Sequence, residues 1–297
     1  MIFLFPSMYN DNAVVDDDYA IEKSVVESLG CKTLLFNFDA FVFGNKPIRI
    51  HIKKEDITEQ DKKDIVVYRG WMLRAELYQK LYSVLHKLGL KLVNLKDGYR
   101  AAHEFPYSYK YLKNFTPAVE IYEDGADIDW RGIKKKYDRF MFKDYVKSVK
   151  GLGFPEYFDN TYSNQELNDY YAKLKYLRGA DYTGGLVIKE YVTLKKDTEN
   201  KINEYRCWFY NGKLFDYYRN VEGPFGRGVS NLDINWVKKL PKLKSKFYTI
   251  DVAELKTGEW VVIETGDGQV SGLRGSDKER NRERVKLFYQ NLLGAVK

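Results

Sequence analysis

The chain alternates between short apolar runs and helical stripes from its first residues. Positions 2–5 (Ile, Phe, Leu, Phe) predict a buried strand that ends at Pro6. Positions 16–29 open on acids, which suit the positive end of a helix dipole, and stop at Gly30, so they predict a helix. Positions 33–38 read as a second strand, and this β-α-β opening predicts a parallel sheet. A strand at 64–68 runs into Arg69-Gly70-Trp71. A helix at 73–88 follows, with Leu77, Leu81, Leu85 and Leu88 on one stripe, and 91–94 return to the sheet. Residues 1–118 therefore read as a small α/β domain, with a boundary at Thr116-Pro117.

The remainder, 119–297, predicts a mixed α+β architecture. A strand covers 138–146, with Phe140 and Phe142 on one face and Met141 and Lys143 on the other. Ser163 and Glu166 have the spacing of a capping box for a helix at 164–177 that buries Leu167, Tyr170, Leu174 and Leu177. Strands at 186–194, 203–210 and 213–219 follow, the last two joined by Asn211-Gly212, a strong hairpin signal. Counted from that turn, Arg206 faces Tyr217 and Glu204 faces Arg219. Ser276 and Glu279 predict the cap of a charged final helix ending near Gly294.

The organising stretch is 247–273, a hairpin whose strands 247–253 and 260–264 meet at a turn of Lys256, Thr257, Gly258 and Glu259. In that register Leu255 opposes Trp260, Ala253 opposes Val262, and Asp251 opposes Glu264. Directly opposed residues share a face with Cβ atoms ~5 Å apart, so two carboxylates there need a proton or a cation between them. Oxygen ligands converging from adjacent strands suit a hard cation such as Mg²⁺. Glu264 leads into Thr265-Gly266-Asp267-Gly268-Gln269, a glycine-punctuated loop that carries a third carboxylate.

Composition narrows the chemistry only a little. The 297 residues are 44% hydrophobic and 31% charged, with seven prolines, which describes a folded chain rather than a disordered one. A net charge of +7 and 25 tyrosines fit a polyanionic partner, either a nucleotide phosphate or a nucleic acid. Lys134-Lys135-Lys136 and Lys238-Lys239 read as solvated faces. Cys31 and Cys207 make neither a disulfide framework nor a metal motif, which points to a reduced, cytoplasmic setting. No apolar run approaches the ~20 residues of a membrane span. Walker A, GxSxG, HExxH and GxGxxG patterns are absent, and the three histidines are well separated.

Four groups besides the acids carry candidate chemistry. Lys143 ends a strand and is followed by Lys147-Ser148-Val149-Lys150-Gly151-Leu152-Gly153, a loop suited to phosphate oxygens. Glu190 shares a strand face with Ile188 and Val192, where a carboxylate needs a partner: an adenine amino group, a ribose hydroxyl or a lysine. Arg206 either lies beside a Glu204–Arg219 bridge or is presented to a transferring phosphate. Arg69 follows a strand of the first domain, where it holds an anionic substrate or caps a helix. His103 reads as structural.

In this order, strand lysine, strand glutamate, hairpin arginine, then acids on paired strands, the sequence resembles the ATP-grasp superfamily. Within it the chain looks like the phage and bacterial clade named for two arginines and a lysine. The match is carried by Tyr68 to Leu73, Lys143 to Ser148, Gly184 to Val192, Glu204-Tyr205-Arg206, Asp251-Val252-Ala253 and Glu264 to Leu273.

The resemblance implies two α+β subdomains clamping ATP behind the N-terminal domain, a lid at about 135–195 and a metal-binding subdomain at about 196–297. It implies that Lys143, with Lys147 and Ser148 of the cover loop, meets the nucleotide phosphates. It implies that Glu190, Tyr191 and Val192 form the adenine hinge, and that Asp251 and Glu264 bind Mg²⁺. Many ATP-grasp ligases have Glu-x-Asn where this chain has Glu264-Thr265-Gly266, so Asp267 is the candidate third ligand. Arg206 would steady the γ-phosphoryl group and Arg69 the substrate carboxylate. The implied reaction is carboxylate–amine ligation through an acylphosphate. The alternatives are a phosphotransferase or nucleic-acid ligase using the same clamp, and a non-catalytic nucleotide-binding module.

Overall fold

A computed structural model describes residues 1–44, 52, 54–220, 226–273 and 278–297, without the side chains of 278–281. Three sheets follow one another along the chain. The first contains β1 (Ile2–Met8), β2 (Asp11–Val15), β3 (Lys32–Phe36), β4 (Ile65–Tyr68) and β5 (Lys91–Leu92). β1 lies at its centre, parallel to β3 and β4, as the β-α-β opening predicts. The strand does not stop at Pro6, which pairs with Phe36 of β3. β4 has already ended opposite Leu4, so the missing proline N–H leaves no gap on that side. Helices α1 (Ala20–Ser28), α2 (Phe38–Phe43) and α3 (Ala75–Lys87) pack around this sheet, and α4 (Lys96–His103) and α5 (Phe105–Leu112) lead out of it.

The second sheet has order β6 (Val119–Glu123), β9 (Gly185–Glu190), β7 (Arg139–Lys143) and β8 (Phe158–Asp159). α6 (Trp130–Lys136) precedes β7, and α7 (Asn164–Arg178) covers the sheet. The capping box is formed: Glu166 N donates to Ser163 Oγ at 3.2 Å, and Ser163 N donates to Glu166 Oε2 at 2.7 Å. Leu167, Tyr171 and Leu174 are the buried positions of α7, with Tyr170 and Leu177 only partly covered. Phe140, Phe142, Leu186 and Ile188 face this core, so Met141, Lys143, Val187 and Lys189 point to the opposite face.

The third sheet has order β11 (Lys213–Arg219), β10 (Glu204–Tyr210), β12 (Phe247–Glu254) and β13 (Trp260–Asp267), all antiparallel. β12 is buried along its whole length. Asn211 and Gly212 both have positive φ, 50° and 82°, the conformation a two-residue hairpin turn demands. The short helix α8 (Ile234–Val237) follows β11, and α9 (Lys278–Val296) packs Val285, Phe288, Tyr289 and Leu292 against the first and third sheets. The cap predicted at Ser276 lies outside the described residues. No helix among the described residues is long and apolar enough to cross a membrane, and Cys31 and Cys207 are both free thiols.

Both hairpins depart from a simple count. In β12–β13, Glu254 pairs with Trp260 and Ala253 with Val261, one residue off the predicted register. A bulge at Asp251/Val252 takes up the extra residue, so Asp251 and Glu264 do face each other. In β10–β11 a bulge at Trp208/Phe209 shifts the far pairs, and Arg206 opposes Tyr218 instead of Tyr217. The Glu204–Arg219 pair does not form. Arg219 bonds Asp197 at 2.8 Å, and Glu204 accepts from Asn220 Nδ2 at 2.5 Å.

Candidate active site

The second and third sheets face each other across a cleft. β7 and β9 supply one wall, with Met141, Lys143 and Lys189 projecting from the face opposite their core. β10, β12 and β13 supply the other, with Arg206, Asp251 and Glu264. Between them is a cavity of about 430 Å³ that ends at Glu190, Tyr191, Val192 and Leu194. This volume lies in the range of small-molecule sites.

The charged groups of the cleft are tied to one another. Arg206 donates to Asp251 through Nε (2.9 Å to Oδ1) and Nη2 (2.7 Å to Oδ2), a bidentate pair. Lys143 Nζ bonds Glu264 Oε1 at 3.0 Å, and Lys147 Nζ lies 3.9 Å from Oε2. Burial pushes the Glu264 carboxyl up, but the ammonium groups of Lys143 and Lys147 outweigh it and hold it down at about 2. The acids that face each other are thus each neutralised by a cation from a neighbouring element.

The loop after β7 owes its shape to Asp144, a residue the sequence reading passed over. Its Oδ1 accepts from the backbone N–H groups of Val146 (2.7 Å) and Lys147 (2.6 Å), and its Oδ2 from Arg178 Nε (2.7 Å). An aspartate two and three residues before amides it can cap is a local signal of such a turn. The loop then bends through Gly151, Leu152 and Gly153, all at positive φ, and places Lys147 and Ser148 on the cavity. At the other end, Glu190 Oε2 accepts from Ala118 N at 3.2 Å, and Tyr191 OH donates to Glu156 at 2.7 Å. Glu190, Tyr191 and Val192 line the cavity together.

Lys189 is the other cleft residue missed in the sequence. It is buried, its Nζ donates to Ile263 O at 2.7 Å, and it lies with Lys143 over the Phe105 ring, the two ammonium groups 5.0 and 5.2 Å from its centroid. Burial first, and then the Lys143 charge, lower its pKa to about 7. Strand alternation carries the signal: Lys189 opposes Met141 and shares the face of Lys143.

Two predicted site residues do not reach the cleft. Arg69 is 1% exposed and fully engaged: Nε and Nη2 bond Glu22 at 2.9 and 3.1 Å, and Nη1 bonds the carbonyls of Gly268, Gln269 and Ser271 at 2.7–3.1 Å. It fastens the first domain to the loop after β13, and has no donor aimed at a substrate. Asp267 lies three residues beyond Glu264 on one strand, an odd spacing that turns it to the other face. There it accepts from Asn94 Nδ2 at 2.5 Å and from Gln269 N at 2.9 Å. Burial raises its carboxyl to about 7. Asp267 is therefore not a partner for Asp251 and Glu264.

No cluster of three or more ligating side chains occurs among the described residues. Two opposed carboxylates nonetheless fit a Mg²⁺ ion held by one or two protein carboxylates and by phosphate oxygens. The donor set suits a cation shared with a phosphate chain. Arg206 is engaged here at all three nitrogens, its Nη1 donating to Gly272 O at 3.2 Å.

Beyond this wall is a second chamber of about 270 Å³, which shares Lys147, Arg206, Asp251 and Glu264 with the first. Gly266 forms part of its floor, where a Cβ would sit 2.8 Å from both Thr249 Oγ1 and Ser271 Oγ. His103 lines it too, buried, with a pKa lowered to about 3 by burial and by Lys147, so the ring is neutral.

Three sheets with a cleft between the second and third define an ATP-grasp architecture, and the sequence agrees. A family model matches residues 104–285; it describes the ATP-grasp domain of family 3 in the clade named for two arginines and a lysine. The chain belongs to that family. Solved structures of similar fold include D-cycloserine synthetase DcsG (TM-score 0.60, 12% identity, all of both chains covered). D-alanine–D-alanine ligase from Bacillus anthracis complexed with ATP is similar at TM-score 0.57 and 14% identity, covering 99% of this chain and 96% of that one. The ATP-grasp ligase PsnB, complexed with a phosphomimetic variant of a minimal precursor, Mg and ADP, is similar at TM-score 0.56 and 13% identity, covering 100% and 98%. No curated protein is significantly similar in sequence.

Proposed function

We propose that this protein is an ATP- and Mg²⁺-dependent ligase that activates a carboxylate as an acylphosphate for attack by an amine. The observation that carries the reading is the wall of Arg206, Asp251, Glu264 and Lys147, common to the 430 Å³ cavity and the 270 Å³ chamber. A γ-phosphoryl group at that wall would face a second substrate in the chamber. The ligase relatives of this fold, two of them described with ATP or with Mg and ADP, support the same reading.

ATP would lie in the larger cavity, its adenine at Tyr191 and Val192 and its ribose near Glu190. Lys143, Lys147 and Lys189 would hold the phosphates, with Ser148 and the loop amides beside them. Asp251 and Glu264 would hold Mg²⁺, which neutralises charge on the phosphates when bound. Arg206 would meet the γ-phosphoryl oxygens, where a guanidinium fork matches their geometry. The substrate carboxylate oxygen then bonds to the γ-phosphorus as the β–γ bridging bond breaks, and ADP leaves. An amine attacks the acylphosphate carbonyl, loses its proton, and phosphate departs. Arg69 and Asp267 have no part in this scheme.

The test is to incubate the protein with Mg-ATP and pools of carboxylic acids and amines and to identify the released nucleotide. ADP with phosphate, dependent on both substrates, is expected. AMP with pyrophosphate, or a phosphorylated or ligated nucleic acid, would replace this reading with the phosphotransferase or nucleic-acid ligase alternative. Tight ATP binding without turnover would mark a binding module. Asp251→Asn and Glu264→Gln should each lower turnover of the folded protein by at least ~100-fold, because each removes transition-state charge stabilisation.

A further inference from the structure

The second chamber adjoins an outer groove of about 430 Å³, and Trp71, Met72, His103 and Val146 line both. That groove runs between α2 and the start of α3 on one side and the 178–183 segment on the other. From the proposed phosphoryl-transfer wall, the chamber and then the groove follow one another towards the surface. We propose that the outer groove seats the apolar side chains of a peptide whose carboxyl group enters the inner chamber to react. This rests on the ligase reading of the cleft and adds the class of the carboxylate substrate.

The character of the path changes along its length. Its inner end carries Lys147 and Arg206, which face Glu264 and Asp251 and would be freed for a carboxylate only when a cation takes those acids. Its neck is lined by the buried His103 with Val146 and Met72. On the outer walls Phe43, Trp71 and Met72 are 78%, 40% and 47% exposed. Single exposed apolar side chains need no explanation, but several on one groove mark a binding surface.

Two of the charged side chains of the groove are already paired. Arg178 bonds Asp144 at 2.7 Å, and Glu104 bonds Arg100 at 3.1 Å. Arg74 and Asp181, of opposite sign, also lie along it. A lone amino acid would occupy the inner chamber and leave the groove empty. An alkyl chain would fill it but would have to desolvate these polar groups without pairing them. A peptide brings apolar side chains and backbone N–H and C=O groups together, and so matches the mixed lining.

Fluorescein-labelled hexapeptides with a free carboxyl end, carrying Leu, Phe or Ser at the preceding residues, can be titrated into the full-length protein by fluorescence anisotropy. The Leu and Phe peptides should bind about tenfold or more tighter than the Ser peptide, as burial of one such side chain predicts. Phe43→Ser should remove most of that preference. Phe43 is exposed, so its replacement should leave the thermal melt unchanged. Equal binding of all three peptides, unaltered preference in Phe43→Ser, or displacement of the peptide by dodecanoate at lower concentration than by unlabelled peptide would each overturn the proposal. Release of ADP is read separately. Apolar-selective binding without ADP would support the groove while ending the ligase reading, and ADP release with single amino acids but no peptide selectivity would do the reverse.

Discussion

Arg206 and Asp251 oppose each other on adjacent strands and are joined by two hydrogen bonds, Nε to Oδ1 at 2.9 Å and Nη2 to Oδ2 at 2.7 Å. The side chains are 13% and 6% exposed. The arginine thus occupies the carboxylate proposed for Mg²⁺, and a bound Mg²⁺ would have to compete with it for one acid.

Arg206→Met should therefore destabilise the protein by roughly 3–5 kcal/mol, since one partner of a buried pair is removed and a buried charge is left behind. Mg²⁺ should restore part of that loss, raising Tm more in the variant than in the unaltered protein. Thermal melts with and without Mg²⁺ check this. An equal Mg²⁺ effect on both proteins would mean that the ion does not compete for Asp251.

Burial and the neighbouring Lys143 charge lower the Lys189 pKa to about 7. At pH 8 it is therefore mostly neutral, and phosphate oxygens brought beside it would raise its pKa and draw a proton in. ATP binding at pH 8 should take up a fraction of a proton and weaken as pH rises further. Calorimetry in buffers of different ionisation heat measures the uptake, and Lys189→Met should abolish it. Stability has its own window. A lysine in the unfolded chain titrates at about 10.4, so the unfolded chain binds more protons between about 7 and 10, and stability rises with pH there.

Asp267 has the opposite sign. Its folded pKa is raised to about 7, against about 3.9 in an unfolded chain. Between those values the folded state holds a proton that the unfolded state has lost, so its contribution to stability falls as pH rises from about 4 to 7. Urea unfolding at pH 5 and pH 7 should show a decline in the unaltered protein that exceeds the decline in Asp267→Asn by more than about 1 kcal/mol. ATP binding by the variant should persist, because Asp267 is turned away from the cleft.

Arg69→Met tests the reassignment of that residue. It strands Glu22 and three backbone carbonyls in a buried site, so stability should drop by about 3–5 kcal/mol. The folded fraction should keep its KM for ATP and for the carboxylate substrate. A selective rise in the carboxylate KM, with little loss of stability, would return Arg69 to a substrate role.

The candidate site divides by how far apart its parts lie in sequence. Lys143, Lys147 and Ser148 were legible because strand alternation and a glycine-containing loop are local properties, whereas Tyr191 and Val192 followed only from the family resemblance; all of them, with Glu190, line one cavity. Asp251 opposite Glu264 was legible for a more fragile reason. The turn count was one residue off near the loop, and a bulge restored the pairing at the acids. At Arg206 a bulge in its own hairpin did the reverse, moving its cross-strand neighbour from Tyr217 to Tyr218. A bulge depends on how both strands pack against the rest of the sheet, which a turn motif does not encode.

Taken alone, the sequence determined the β-α-β opening with its parallel strands, the hairpins of the third sheet, the capping box of α7, and which face of β7 carries its lysine. These follow from hydrophobic period and turn chemistry within a few residues. It did not determine β2, which pairs antiparallel with β1, nor the sheet strand β6. Only the tertiary structure decided what each charge meets. Arg69 looked like a substrate ligand until the loop after β13, some 200 residues away, closed over it, and Asp267 looked like a metal ligand until Asn94 met it from the first domain. Lys189 became part of the cleft when β9 was laid beside β7, opposite Met141. A charged side chain is satisfied by whatever chain folds against it, and that partner is set by packing over long separations.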